Sequence, residues 1–554
     1  MTTANSTYDV AVIGGGHNGL VAAYYVARAG LSVIVLEKND VVGGAAVTEE
    51  FHPGFRNSVA SYTVSLLNRH VIADLSLARH GLKIVERPAA NFWPVDAERG
   101  LLMPFGLAGR QAAVAAFSQR DADRLPAYEA ALDRAASVLR DLVLEAPPNA
   151  GGGLIELLRA GRIGRRLGKL GLEDQRLLID LFTISADDFL RRWFEHDVIR
   201  GAFAFDGIVG AYAAPTMPGT AYVLLHHSFG EVNGRPGVWG HAVGGMGAIT
   251  MAMAAAAREA GAEIRTNAAV AEVLVARDGA ASGVVLADGS RIRARVVAAN
   301  VPPKLLFQRM MPEGAVAVDV AQRFTGIKSG SGTFRMNVAL SELPDFTCRP
   351  GTRADAHHGS GIVIGPTVAY LEQAYVDARA YGWARAPVVE MLIPSTLDDT
   401  LAPPGQHVAS LFVQHVAPQL PAGRSWADDA ERQAFADVVV QTVGRHAPNF
   451  ARSILARQIL SPRDLEERFG LIDGDIFHGQ LALNQLFSAR PVLGHADYRM
   501  PLKGLYLCGA GAHPGGGVTG LPGRNAARAI IEDLKPGLAK RLALRHIGRR
   551  RDRL

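Results

Sequence analysis

The sequence predicts an α/β fold in which a parallel βαβ unit opens one body and a second, α+β body is inserted into it. Three observations predict this. YDVAVIGGG, HNGLVAAYYVARAG and LSVIVLEK, over residues 8–38, read in turn as buried strand, helix and buried strand. Short β-rich runs separated by Asp-Gly pairs at 278–279 and 288–289 read as a β-meander. Near the other end, the apolar run GLYLCGA (504–510) leads through glycines into a closing helix, LPGRNAARAIIEDL. The first body is therefore discontinuous, and the middle of the chain supplies the second.

Bulk properties narrow the classes. With 554 residues, 48% of them hydrophobic and 20% charged, the chain suits two or more folded domains. No apolar run reaches the ~18 residues of a membrane span, and MTTANST has neither a basic region nor an apolar stretch. A signal or transit peptide is not expected, and the expected location is cytoplasmic. Cys348 and Cys508 are the only cysteines. They stand too far apart in sequence for a CxxC pair, a disulfide scaffold or a cysteine zinc site. Neither H-E-x-x-H nor G-x-S-x-G occurs, which removes support for zinc or serine hydrolysis.

The net charge is +5, from 58 Lys+Arg against 53 Asp+Glu, and no nucleic-acid partner is expected. Two basic clusters stand out. Arg159, Arg162, Arg165, Arg166 and Lys169 lie among Leu154, Ile155, Leu157, Leu158, Ile163, Leu167 and Leu170. Lys540, Arg541, Arg545, Arg549, Arg550, Arg551 and Arg553 fill the tail. Such stretches suit a peripheral membrane surface or an acidic partner, or are simply solvated faces.

Between the ends, 118–145 reads as a helix opened by Ser118 and Asp121, and APPNAGGG (146–153) as a break. Residues 172–210 read as helical with a start at Ser185 and Asp188, and 248–260 as an Ala-rich helix. AEIRTNAAVAEVLVARDG, ASGVVLADG and SRIRARVVAAN supply the strands of the meander. Residues 305–500 show no single period.

The motif with chemical content is Gly14-Gly15-Gly16-x-Asn18-Gly19, a G-x-G-x-x-G turn between strand and helix. A dinucleotide pyrophosphate needs a tight turn, close backbone approach and the positive end of a helix. Glu37, at the end of the second strand, is spaced to hydrogen-bond a ribose diol. This is a Rossmann-like unit. Lys38 follows Glu37, and then the pair Gly43-Gly44, which resembles the second FAD fingerprint of glutathione-reductase-like and amine-oxidase-like flavoproteins. Ala45 and Ala46 stand where many of those proteins carry an Arg.

GLYLCGAGAHPGGGVTGLPGRNAA (504–527), PGTAYVLLHHSFGEVNGRPGVWGHAVGGMG (218–247) and GDIFHGQLALNQLFSARP (474–491) extend the resemblance. Together they resemble the phytoene-desaturase-like (carotenoid desaturase and isomerase) branch of the flavin amine oxidase superfamily. The likeness runs over nearly the whole chain and is weakest at 305–470. It implies FAD as cofactor, with Val270 laying backbone along the adenine. It places Gly509, Ala510, Gly517, Val518 and Thr519 close to the isoalloxazine, before a helix N-terminus that favours negative charge there. Gly244-Gly245-Met246-Gly247 resembles a turn at the boundary of the two domains.

The fold implied is a glutathione-reductase-type FAD domain from 1–105, 240–305 and 490–535. The substrate domain comes from 106–239, mostly helical, and 306–489; a basic tail covers 536–554. The activity implied is oxidation, desaturation or isomerisation of an apolar, isoprenoid-, polyene- or lipid-like substrate. Hydride would pass from a substrate carbon to flavin N5, and oxygen or a quinone would re-oxidise the flavin. With a single βαβ dinucleotide fingerprint, nicotinamide use is not expected.

Among His226, His227, His241, His478 and His513, all in family-like segments, the candidates for proton transfer are His226, His227 and His478. Two rivals remain. A flavin amine oxidase would show an aromatic cage, whereas 500–527 offers Tyr506 and no aromatic partner. A non-catalytic FAD-bound scaffold would hold the flavin without turnover.

Overall fold

The computed structural model describes residues 7–535 and 537; the basic cluster from Lys540 to Arg553 lies outside them. Two seven-stranded sheets organise the described residues. In the first, Thr7–Ile13 lies between two parallel neighbours, Val33–Leu36 and Arg291–Ala299. Val10, Ala11 and Val12 are wholly buried, which is why this strand reads as an unbroken apolar run and not as an alternation. The helix His17–Arg28 packs on Met246–Glu259 and Leu521–Leu534, so the N-terminal, middle and C-terminal segments share one core.

The meander forms as Val270–Val275, Ala281–Leu286 and Arg291–Ala299. One detail differs from the sequence reading. The run beginning AEIRTN splits, and Glu263–Arg265 pairs parallel to Val33–Leu36 at the outer edge of the sheet. Asn267, at φ +51°, turns the chain between the two pieces. Arg291–Ala299 then forks. Its first residues pair with the meander, and its last three pair parallel to Leu505–Leu507. The C-terminal strand is thereby set beside the glycine turn that ends Thr7–Ile13.

The second sheet occupies the stretch where no period was visible. Its order is Ile454–Leu460, Thr333–Leu340, His407–Val416, Trp383–Leu392, Gly361–Ile364, Ala89–Pro94 and Gly100–Pro104. Its pairs are antiparallel except for Gly361–Ile364 with Ala89–Pro94. Every residue of Thr333–Leu340 is buried, so the strand carries no alternation to read. The pairing of 89–104 also corrects the first expected segment. These residues belong to the second sheet, so the chain crosses to the second body before residue 89 and not at 105.

A helical layer completes the second body. Gln119–Leu142 is capped by Ser118, whose hydroxyl accepts from the Asp121 N–H, and Ala186–Arg191 is capped likewise by Ser185 from Asp188. The expected helix over 172–210 is broken into Leu172–Thr183, Ala186–Arg191 and Asp197–Phe205. Gly153–Leu167 lies outermost and buries none of its residues. No helix among the described residues is long and apolar enough to cross a membrane.

Candidate functional site

A cleft open to solvent is lined by residues of the first sheet's strand ends and by Phe412 of the second sheet. Its floor is the glycine turn. Gly14 N–H donates to Leu36 O at 2.8 Å, and Asn300 Nδ2 donates to Gly14 O at 3.2 Å, tying three parallel strands together at their ends. A Cβ on Gly19 would lie 2.3 Å from Gly14 O, and one on Gly16 would lie 3.0 Å from Asn300 Nδ2. The turn therefore exists only because no side chains fill it. Glu37 is buried beside it. Its Oε2 accepts from Gly15 N–H at 2.8 Å and its Oε1 from Asn39 N–H at 2.9 Å, which fixes the carboxylate at the cleft wall.

Of the residues expected to hold a cofactor, Gly14, Gly16, Asn18, Glu37, Lys38, Gly43, Gly44, Ala45, Val270, Ala510, Gly517 and Val518 line this one cleft. Gly15, Gly19, Gly509 and Thr519 stand behind its surface. Gly15 holds Glu37, and Thr519 Oγ1 accepts from Leu521 N–H at 3.1 Å, at the start of the closing helix. That helix begins at Leu521, after the Gly517–Thr519 stretch. Lys38 is partly committed elsewhere, since its Nζ donates to Glu467 O at 2.9 Å. Ala45 packs beside Phe469 and Leu471, which make this part of the wall apolar.

Residues the sequence reading missed complete the wall. Asn300 follows the third parallel strand directly, a position that the strand-end geometry of such sheets would have indicated. Leu305, Met310, Phe412, Phe469, Leu471, Ile476 and Phe477 carried no signal, because they come from segments without a visible period.

Whether a dinucleotide fits can be judged from the polar atoms. His17 Nε2 and Asn18 Oδ1 are buried at the glycine turn without a hydrogen-bond partner. Orphaned groups of this kind await a ligand or water. Glu37 lies beside the strand that opens at Val270, with Ala268 N–H donating to Glu37 O at 2.8 Å, whereas Gly517 and Val518 also border an adjoining cavity. The residues fit an extended dinucleotide such as FAD.

A second, smaller cavity adjoins the first and shares Tyr62, Phe412, Phe477, Gly517 and Val518 with it. It is lined also by Thr63, Ser65, Asp206, His227, Trp239 and Glu390. Tyr62 donates its hydroxyl proton to Glu390, and the Arg335 guanidinium lies 4.4 Å over the Tyr62 ring. Burial pushes the Glu390 carboxyl above its ordinary range, against the pull of Arg87, Tyr62 and Arg335. Burial, and then Glu390, push Asp206 up to about 7.

The candidate histidines separate. His478 lines the cleft, and its Nδ1 has no partner. Burial, then Arg490 and His17, bring it down to about 3. His226 is buried behind Gly517 and falls to about 3 through burial, then His227 and Arg490. Both are neutral at pH 7 and too weakly basic to carry a proton efficiently there. His227 faces the second cavity, but its Nδ1 meets Val223 O at 2.9 Å. His513 meets Leu142 O, and burial, opposed by that contact, lowers it to about 4.

His241 Nε2 meets Asp398 Oδ2 at 2.9 Å, and Asp398 also accepts from Gly244 N–H at 2.6 Å. Burial raises Asp398, but hydrogen bonds from His241, Thr400 and Gly244 outweigh it and hold the carboxyl far below its usual range. The turn Gly244–Gly247 is thus pinned to the loop after Trp383–Leu392, while Gly247 N–H donates to Thr48 Oγ1 at 3.0 Å. It ties the two bodies together.

Comparison with known proteins agrees with this geometry. A family model described as an NAD(P)-binding Rossmann-like domain matches residues 12–75, the segment of the glycine turn and Glu37. Pyridine nucleotide-disulfide oxidoreductase domain-containing protein 2 of Rattus norvegicus is 41% identical over 95% of this chain and 94% of its own length. A limonene dehydrogenase polypeptide of Castellaniella defragrans is 26% identical over 95% of each chain. Phytoene desaturase (lycopene-forming) of Pseudescherichia vulneris is 26% identical over 95% of this chain and 99% of its own.

Among solved structures, an oxidoreductase from Methanosarcina mazei superposes with a TM-score of 0.58 at 15% identity, covering 95% of this chain and 100% of that one. Cyclohexylamine oxidase from Brevibacterium oxydans does so with a TM-score of 0.55 at 17% identity, covering 95% and 99%. These two show the shared fold. The word disulfide in the first relative's name finds no counterpart here. Cys348 and Cys508 are unpaired, neither lines the cleft, and burial pushes the Cys508 thiol up to about 12. By its identity to the rat protein over nearly the full length of both, the chain is an oxidoreductase of the family of pyridine nucleotide-disulfide oxidoreductase domain-containing protein 2.

Proposed function

We propose that this chain is an FAD-dependent oxidoreductase that oxidises, desaturates or isomerises a largely apolar substrate of isoprenoid, polyene or lipid-like character. One observation carries the reading. The cleft that fits a dinucleotide continues, beside Gly517 and Val518, into an apolar wall of Phe412, Ile476 and Phe477 that it shares with the adjoining cavity. When bound there, FAD would supply a two-electron acceptor for hydride. The chain's own part is to bind and orient. Glu37 and Val270 stand at the adenosine end, the glycine turn admits the pyrophosphate, and the apolar wall excludes water from the substrate. Oxygen or a quinone serves as final acceptor in this reading. The names of the desaturase and limonene dehydrogenase relatives support an apolar substrate.

The amine oxidase reading meets a specific obstacle. The cavity does hold an aromatic pair, Tyr62 and Phe412, which lies far from 500–527 in sequence. Their rings stack on each other with centroids 5.5 Å apart. A ligand held between two rings needs about 7 Å, twice a van der Waals contact. The pair is closed and forms no cage. Tyr506 is turned away, donating to Asp533 at 2.5 Å.

The substrate reaches this protein from a membrane surface in the same proposal. On the outermost helix, Leu154, Ile155, Leu157 and Leu158 are between 63% and 72% exposed. Arg162 and Arg165, also exposed, make no ion pair among the described residues.

The test is purification of the full chain. It should be yellow and release FAD, not FMN, and the flavin should bleach anaerobically with an apolar substrate. NADH and NADPH should bleach it slowly or not at all, because the chain has one βαβ dinucleotide fingerprint and no second nucleotide domain is read from its sequence. A colourless protein that cannot be reconstituted with FAD overturns the assignment, and rapid bleaching by micromolar NADPH overturns the second part.

A further inference from the structure

The cavity beside the cleft has features that a hydrocarbon does not need. Asp206 lines it, yet its carboxyl forms no hydrogen bond or ion pair among the described residues. Ser65 lines it too, is 3% exposed, and its hydroxyl has no partner. Groups left unmatched inside a protein cost stability unless a ligand or water meets them. Both sit in a cavity that shares Gly517, Val518 and Phe477 with the main cleft, so a molecule reaching one can extend into the other.

We infer that this cavity binds an uncharged oxygen-bearing head group, a hydroxyl or carbonyl, of an otherwise apolar substrate, with Asp206 as its hydrogen-bond partner. The inference rests on the functional reading above and narrows its substrate class. Charge decides against an ammonium group. Glu390 is engaged by Tyr62, and Arg87 and Arg335 both act on it electrostatically. Two guanidinium groups thus offset the two carboxylates, and no surplus negative charge is left for a cation. Asp206 is raised to about 7 by burial and then Glu390, so near neutral pH it is present in both donor and acceptor forms. That suits a hydroxyl or a carbonyl oxygen equally.

The experiment titrates the purified full-length protein by calorimetry with three probes of one C15 isoprenoid skeleton: the primary alcohol, the parent hydrocarbon and the primary amine. The alcohol should bind at least about tenfold tighter than either, the worth of one buried hydrogen bond. Asp206→Leu should erase the difference between alcohol and hydrocarbon, and Asp206→Asn should keep part of it. Because Asp206 has no structural partner, Asp206→Leu should melt no lower than wild type. Equal binding of alcohol and hydrocarbon by the wild type, tightest binding of the amine, or a preference that persists in Asp206→Leu overturns the inference. Loss of melting temperature in Asp206→Leu would also count against it, as a sign of structural work. Calorimetry does not need the flavin, so a protein without FAD would sink the functional reading while the alcohol–hydrocarbon difference still decides this one.

Discussion

The two cavities are built from different materials. The cleft in the first body is made of backbone: three strand ends, a glycine turn and a helix start, with Glu37 held by main-chain N–H groups. The adjoining cavity is made of side chains from both bodies, with Tyr62, Asp206 and Glu390 at its surface and Arg87 and Arg335 behind them. Backbone sites demand residues that are small, and they demand them at fixed spacing. Side-chain sites demand charge balance, and any spacing that the fold brings together will serve. The first should fail all at once when a side chain is added. The second should fail by degrees when a partner is removed.

Gly19→Val sets the sharpest version of the first expectation. A Cβ at residue 19 meets Gly14 O at 2.3 Å, so the turn and the helix start must separate. The expected outcome is a folded protein that purifies without flavin, read as loss of the flavin's visible absorbance with the far-ultraviolet circular dichroism retained. Full flavin content in this variant would break the contrast, because the turn would then not be what admits the dinucleotide.

That contrast also explains what was legible in the sequence. Gly14, Gly16 and Glu37 could be placed because strand, turn and helix fix their spacing within one short segment. Val270 and Gly517–Thr519 could be placed only through resemblance, since nothing local marks them. The helix that follows them, read from LPGRNAARAIIEDL, does begin at Leu521. Tyr62, Asp206, Arg335 and Glu390 were invisible. Arg335 lies in a strand buried at every position, and Glu390 pairs across from Phe412 only through the register of the second sheet. The histidines could be named from the sequence but not ranked. Their identity was plain, but the burial that takes His226 and His478 down to about 3 is a property of the fold.

Glu390→Leu tests the second region. It removes the carboxylate that Arg87 and Arg335 face, and Arg335 already has Nε and Nη1 without partners. Breaking one side of a buried charge arrangement costs about 3–5 kcal/mol. The lower end is expected here, because neither guanidinium comes within ion-pair distance of Glu390. Thermal unfolding should begin several degrees earlier, while flavin content, set in the other body, stays close to wild type. Glu390→Gln, which keeps an acceptor for the Tyr62 hydroxyl, should lose less. If Glu390→Leu melts like wild type, the network does not hold the second body together.

The smallest effect is expected at the outer helix, where side chains face solvent and neither cavity is touched. Of its four basic residues, Arg159 pairs with Glu156 at 2.6 Å and Arg166 pairs with Asp141, so both are already committed. Arg162 and Arg165 are exposed and free to meet anionic lipid, beside Leu154, Ile155, Leu157 and Leu158. Each would contribute roughly 1 kcal/mol near a charged surface. Salt should weaken the binding, since such charges are screened beyond about 8 Å at physiological ionic strength. The double variant Arg162→Glu, Arg165→Glu should therefore float less with anionic liposomes at low salt, and the gap should close at high salt. Flavin content and melting should not change, because the helix buries none of its residues. Wild-type protein that stays unbound at low salt would remove the membrane from the proposal, and an unchanged double variant would assign any binding to the leucines instead. Either result leaves the dinucleotide cleft untouched, because its glycines and Glu37 share no contact with this helix.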